Sequence, residues 1–360
     1  MTSPKRSSER RPADHRITGP MVQTLEAGLS RFRGRPVRVR ELRRRFSRYS
    51  STFHTERLRV FLDDEGKPLR IFFKDLAPEH QVTDARAPHR VPAAAYRREL
   101  DMYRSVLSRE RFGTLHLYAF RWEPDRGRCW LFLEDAGRTP LNGVHDPQEW
   151  ASAARWAARF HVATHDLPAA QTKFLPQWDR AHYQRCAAQA ERLLPTVEAR
   201  EREILRDGLD ALTARLDWFS ALPRCVIHGQ FFGKNIMLRP RRARPRIAVI
   251  DWETAALGPR AFDLASITGG GWSIEEQLMM RTAYVEQYQA ETGGAIDWDD
   301  FCQEVRAVGI YQALEWLVWW APHRGVPRRL KRFRRFMREL ESLLDGRGAP
   351  EGAAPEEVAR

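Results

Sequence analysis

Lysine is almost missing from this sequence: six of its sixty basic residues are lysine and the rest are arginine. A GC-rich genome produces that bias, so the net charge of +13 is weak ground for reading the chain as a nucleic-acid binder. Cysteine is scarce too. Cys129, Cys186, Cys225 and Cys302 stand apart with no CxxC and no metal-ligand spacing, which argues against a disulfide framework or a zinc site and for reduced, packed thiols. No apolar run approaches the ~18 residues that cross a bilayer; the richest, Leu314 to Ala321, is short and contains Glu315. The first twenty residues are charged and rich in Pro and Ser, without the apolar centre of a secretory signal. Residence in the cytoplasm is the expectation.

What is present is an ordinary globular composition, 42% hydrophobic and 30% charged over 360 residues, enough for one large domain or two ordinary ones. Residues 1–20 are expected to be a disordered tail. Met21, Leu25, Leu29 and Phe32 recur at helical steps, and the helical pattern runs to about Arg45. Strand-like segments follow at 58–62 and 69–73, joined by the turn Asp63 to Lys67, and again at 115–122 and 129–133. A helix over 93–107 interrupts them. After Gly137 the pattern turns helical, with segments at 147–165, 183–194 and 197–219. A small strand insert, 225–227, 236–238 and 247–250, precedes further helices and a tail over 346–360. Strands first and helices after predict an α+β chain, with a strand-rich part over 21–135 and a helical part over 136–345. Arginines also cluster between Arg31 and Arg48. A second basic stretch, Arg324 to Arg338, has Leu330, Phe333, Met337 and Leu340 on one helical face; it reads as a solvated amphipathic helix.

Phosphoryl transfer from ATP needs a cation on the phosphates, acidic and amide oxygens on magnesium, and a group that orients the nucleophile. The segment His228-Gly229-Gln230-Phe231-Phe232-Gly233-Lys234-Asn235, followed by Ile250-Asp251-Trp252-Glu253, contains most of these parts. It resembles the HGDxxxxN and IDxE motifs of the aminoglycoside phosphotransferase and choline kinase group. That group's Gly-Pro-x-x-x-Asp-Leu-Ala run stands here as Gly258 to Ala265. The resemblance covers about residues 46–320 and implies a two-lobed, protein-kinase-like fold with a small antiparallel-sheet N-lobe, a larger helical C-lobe and Mg-ATP bound between them. It implies magnesium at Asn235 and Asp251, support of the metal or its waters from Glu253, and a brace at Asp263. Lys74, ending the strand Arg70 to Lys74, would hold the α/β-phosphates and pair with Glu99. The loop Arg48 to Phe53, with Ser51, would cover the nucleotide, and the hinge Leu133 to Ala136, with Glu134 and Asp135, would read the base. Lys234 is either a contact to the transferred phosphate or a solvent-facing loop lysine.

The sequence departs from the family at position 230, where Gln230 replaces the catalytic aspartate. A carboxamide takes up no proton at neutral pH but still accepts a hydrogen bond. Three readings follow. Gln230 orients a nucleophile that needs little deprotonation, another group such as Glu253 or His228 is the base, or the protein is a pseudokinase that binds ATP without transferring phosphate. His161 is expected to be a buried structural histidine, and Trp316, Trp319 and Trp320 either core or the wall of an acceptor pocket. The acceptor is a small hydroxylated molecule, with aminoglycosides, choline-like amines, sugars, nucleosides and peptide or protein hydroxyls all open. Nucleic acid is the weakest of the partner readings, and the sequence is silent on oligomeric state.

Overall fold

The computed structural model describes residues 19–346 apart from 48–52, 54, 81–92, 108–111, 241–245, 322–324 and 326. Nearly all of both expected tails, and most of the loop Arg48 to Phe53 with Ser51, therefore lie outside the described residues. The fold is two-lobed and α+β. One compact unit holds residues up to 86 with His116–Asp135, and the other holds residues 87–115 with everything from Ala136 onward.

The first unit is a helix laid on an antiparallel sheet. Helix α1 (Gly19–Arg33) buries Met21, Leu25 and Leu29 along one stripe. The expected run of helix to about Arg45 is wrong. Gly34 takes φ 67° and Pro36 follows, a combination that stops a helix. Val39–Phe46 is instead strand β1, in which only Leu42 is fully buried; its exposed arginines hid the alternation. The sheet continues with β2 (Thr55–Leu62), β3 (Leu69–Asp75), β4 (Leu117–Glu123) and β5 (Arg128–Glu134), in the order β1-β2-β3-β5-β4. Every pairing is antiparallel. The α1 stripe joins Leu58, Val60, Ile71, Phe73 and Phe132 in one core, each such side chain contributing about 1.5–3 kcal/mol. Helix and sheet approach so closely that a Cβ on Gly28 would lie 2.3 Å from the Cβ of Ala119. Strand alternation puts Arg70, Phe72 and Lys74 on the other face.

The second unit is mainly helical: α2 (Ala93–Ser105), α3 (Pro147–Thr164), α4 (Arg180–Glu191), α5 (Ala199–Thr213), α6 (Leu216–Ala221), α7 (Ala261–Thr268), α8 (Ile274–Thr292), α9 (Trp298–Trp320) and α10 (Pro327–Leu344). The single helix expected over 197–219 is broken between α5 and α6, where Arg215 leaves helical geometry. Two short ladders are set among these helices. Strand β6 (Arg224–Ile227) pairs with β9 (Ala256–Pro259), and β7 (Ile236–Leu238) pairs with β8 (Ile247–Val249). Helix α3 starts cleanly because Asp146 caps the amide of Gln148 and Pro147 takes the first turn. Helix α10 buries Phe333, Met337 and Leu340 and exposes Lys331, Arg334 and Arg338, as its pattern predicts. All four cysteines are free and buried. Among the described residues, no helix is long and apolar enough to cross a membrane.

Candidate active site

Strand β6 delivers the chain into the loop His228 to Asn235, and the entry of that loop is held by Asp263 in the first turn of α7. The buried Asp263 carboxylate accepts the amide of His228 at 2.7 Å and that of Gly229 at 3.1 Å, with Nε2 of His161 3.2 Å away. Burying a lone carboxylate costs several kcal/mol, and these three donors offset it. His161 places its other nitrogen 2.8 Å from the Tyr284 hydroxyl, so it is the buried structural histidine expected. Gly229 has φ 77°, and a Cβ there would lie 2.4 Å from the carbonyl oxygen of Thr254. Only glycine fits that turn.

His228 is fully engaged. Its Nε2 donates to the carbonyl of Ile250 at 2.9 Å, and its Nδ1 accepts the amide of Gln230 at 3.2 Å. Burial lowers its pKa below the usual histidine value, with the charge of Asp263 pulling the other way. The backbone of Gln230 is equally committed: its carbonyl accepts from the Phe232 amide at 2.7 Å and from Asn235 Nδ2 at 3.0 Å. Its side chain is half-buried and makes no hydrogen bond among the described residues.

The β7–β8 hairpin returns the chain to this loop. The amide of Ile250 donates to the carbonyl of Asn235 at 2.9 Å, so Asp251 emerges beside the buried Asn235. Asp251 has φ 70° and ψ 60°, and is the only non-glycine with positive φ among the described residues. Such a conformation costs about 1–3 kcal/mol and tends to sit where a side chain must be aimed. The turn is held on both sides of Glu253. Trp252, wholly buried, donates to Val249 at 3.2 Å, and Arg98 on α2 donates through Nη1 to the Glu253 carbonyl at 2.9 Å. Burial lowers the Arg98 pKa, and the Glu253 charge partly restores it. Sequence reading missed Arg98; its one signal was its place next to Glu99.

The remaining candidates are spread more widely. Lys74 is buried on β3 in the first unit, between Thr55 and Leu131 of the neighbouring strands. Glu99 is buried on α2 in the second unit. Glu134 donates its amide to the carbonyl of His116 at 2.9 Å, and Asp135 pairs with Arg57 at 3.2 Å and Arg70 at 2.9 Å. Lys234 is exposed. Of the three tryptophans, Trp316 packs on Phe232 of the loop and stacks on Phe336, whereas Trp319 is exposed.

Magnesium takes hard oxygen donors and is commonly held by one or two protein groups together with substrate phosphates. Asn235 and Asp251 suit that chemistry. The Asn235 nitrogen is spent on Gln230, which leaves its oxygen for a cation. Among the described residues no cluster of three or more His, Cys, Asp or Glu could form a self-contained cage, and a site shared with phosphates needs none.

The family model described as the phosphotransferase enzyme family matches residues 46–302. No curated protein sequence matches the chain. Among solved structures, a microcompartment-associated aminopropanol kinase is similar with a TM-score of 0.59 at 16% identity, over 86% of this chain and 94% of that one. A choline/ethanolamine kinase family protein from Mesorhizobium loti gives 0.55 at 14% identity, covering 87% of this chain and 90% of its own. LicA in complex with AMP gives 0.53 at 12% identity, covering 91% of this chain and 100% of its own. At these identities the likeness is one of fold.

Proposed function

The chain belongs to the phosphotransferase enzyme family, and on that premise we propose that it moves the terminal phosphate of ATP to the hydroxyl of a small molecule in the cytoplasm. The observation that supports this reading most directly is the bond from the Ile250 amide to the Asn235 carbonyl, since Asp251 is the next residue along the chain. In this reading Asn235 and Asp251 hold magnesium, Glu253 supports it, and Asp263 braces the loop. Lys74 and Glu99 serve the phosphates, and Glu134 and Asp135 belong to the hinge beside the base. Magnesium, when bound, supplies positive charge to the phosphate oxygens. Gln230 accepts a hydrogen bond from the acceptor hydroxyl through its free carboxamide and so orients it. His228, neutral and with both nitrogens engaged, positions the Gln230 amide instead of taking a proton.

The neighbours' names support a class of acceptor. Aminopropanol, choline and ethanolamine are all small alcohols that carry an amine or ammonium, and an AMP-bound neighbour supports nucleotide use. A small amino alcohol is therefore the acceptor we put first.

A second reading rests on Gln230 itself: without a carboxylate at that position, the protein binds Mg-ATP and transfers nothing. Purified protein separates the two. Mg-ATP should raise the melting temperature, by the equivalent of about 2.7 kcal/mol at a hundredfold excess over its dissociation constant. Asp251→Ala or Lys74→Ala should shrink that shift. Turnover with aminopropanol, ethanolamine or choline supports transfer, and a shift without turnover on any of them supports the second reading. No shift at millimolar nucleotide removes both.

A further inference from the structure

A cavity of about 1160 Å³ opens in the second unit, lined by parts of α5, α6, α8 and α9 and by Arg260, the residue just before α7. Its distinctive wall is Arg260. The guanidinium lies over two rings, its carbon 4.6 Å from the centre of Tyr288 and 5.6 Å from that of Phe301. Its one ionic neighbour, Glu304, is 3.8 Å away, too far for a hydrogen bond. Among the described residues, none accepts a hydrogen bond from this side chain. A guanidinium has five N–H donors in a planar fork. Here the fork packs against two aromatic rings, is about one-fifth exposed, and lines a space that also has apolar walls at Trp218 and Ile310.

We propose that this cavity binds a small organic carboxylate, its carboxylate bidentate on Arg260 and its apolar body against Trp218 and Ile310. A planar anion matches the guanidinium fork better than a point charge does, and the cavity is far larger than a bare inorganic ion needs. Glu304 is a weak competitor for the same cation. Burial pushes its carboxyl pKa up, although Arg260 and a bond from the Ala261 amide pull it back, so its charge is the dearer one to keep. The site also lies close to the catalytic loop. Asp263, which holds the amides of His228 and Gly229, sits in the first turn of the helix that Arg260 leads into. An occupant that fixes Arg260 steadies that turn.

The test is direct binding of 4-fluorobenzoate to the full chain without nucleotide, followed by fluorine NMR. Its outcome is thus independent of whether the protein transfers phosphate. Saturable binding is expected, weakened at least about tenfold in Arg260→Met, and also in Arg260→Lys, which keeps charge but loses the fork. Ala214→Trp fills the cavity from its exposed rim without touching Arg260 and should block binding too, so it decides the matter should the arginine variants not fold. 4-Fluorobenzylamine, of the same shape and opposite charge, should not bind. Saturating 4-fluorobenzoate should also slow hydrogen exchange at the His228 and Gly229 amides. The site is overturned by absence of binding, by binding that survives both Arg260→Met and Ala214→Trp, or by preference for the amine that Glu304→Gln abolishes. Unchanged exchange at the loop overturns its reach to Asp263.

Discussion

Asn235 donates from its carboxamide nitrogen to the backbone carbonyl of Gln230 at 3.0 Å. The bond clamps the Gln230 main chain, and its side chain makes no hydrogen bond among the described residues, so residue 230 can be exchanged without dismantling the loop. Gln230→Glu keeps the reach of the side chain and adds proton affinity, whereas Gln230→Asp is shorter by one methylene. If proton transfer limits the wild type, one carboxylate variant should gain turnover, within the hundred- to ten-thousand-fold range of general-base help, at unchanged ATP affinity. Turnover of the wild type at an ordinary kinase rate, about 1–100 per second, with losses in both variants, would make Gln230 a working residue in its own right. Steady-state kinetics with the preferred acceptor reads the difference.

Asp263 should be the most stability-sensitive residue of the site. Asp263→Asn keeps the size but offers one acceptor oxygen to three donors, and should cost about 1.5–3 kcal/mol. Asp263→Ala leaves two buried amides unpaired and should cost more. Urea unfolding gives both numbers, and a loss under about 0.5 kcal/mol for the alanine variant, the level of an ordinary surface change, would mean the carboxylate is not the brace its geometry describes.

His182 and Glu315 should oppose each other in the pH dependence of stability. Nε2 of His182 lies 2.6 Å from the Tyr311 hydroxyl, and Tyr311 also bonds Glu315. Burial, with a smaller push from Arg185, lowers His182 from 6.5 to about 4. The unfolded chain therefore binds a proton in that window that the folded one refuses, and stability is lost as pH falls from 6.5 toward 4. Burial raises Glu315 from 4.5 to about 7 against the Tyr311 bond. The folded chain then keeps a proton that the unfolded one releases, so stability is lost as pH rises from 4.5 toward 7. Relative to wild type, His182→Phe should make the melting temperature fall more steeply with rising pH across 4.5 to 6.5, and Glu315→Gln should make it rise. Parallel curves for all three proteins would contradict both assignments.

Helix α10 should be electrostatically dispensable for nucleotide binding. Lys331, Arg334 and Arg338 are exposed, and Phe333, Met337 and Leu340 anchor the helix from the other side. Reversing those three charges should leave ATP affinity within a few-fold at physiological salt, where exposed charges are screened over about 8 Å. A collapse in affinity, measured by titration calorimetry, would show that the helix contributes to the field felt by the nucleotide.

Local spacing made much of the candidate site's backbone arrangement legible in advance. His228, Gln230, Asn235, Asp251 and Asp263 lie on strand ends, one short loop and a first helical turn, so their order along the chain foreshadows their meeting. Strand β1 was hidden because Arg40 and the consecutive Arg43, Arg44 and Arg45 look like a charge run rather than a half-buried strand. The Arg98 contact spans 155 positions, and no periodicity encodes a partner that distant. The Arg260 cavity depends on helices separated by long stretches of chain, and its guanidinium stands out only because no described residue accepts a hydrogen bond from it. The positive φ of Asp251 was equally invisible, since no glycine marks the position.

The bond from Arg98 to the Glu253 carbonyl has a mechanical consequence. Helix α2 carries Arg98 and Glu99 on adjacent residues, so the helix and the turn after Asp251 are two ends of one lever. A slide of α2 along its axis by one residue, about 1.5 Å, stretches a 2.9 Å bond past its useful range unless Glu253 follows. Whatever seizes Glu99 therefore pulls on the strained Asp251 turn, and whatever relaxes that turn pulls back on the helix with equal free energy, because such coupling is reciprocal.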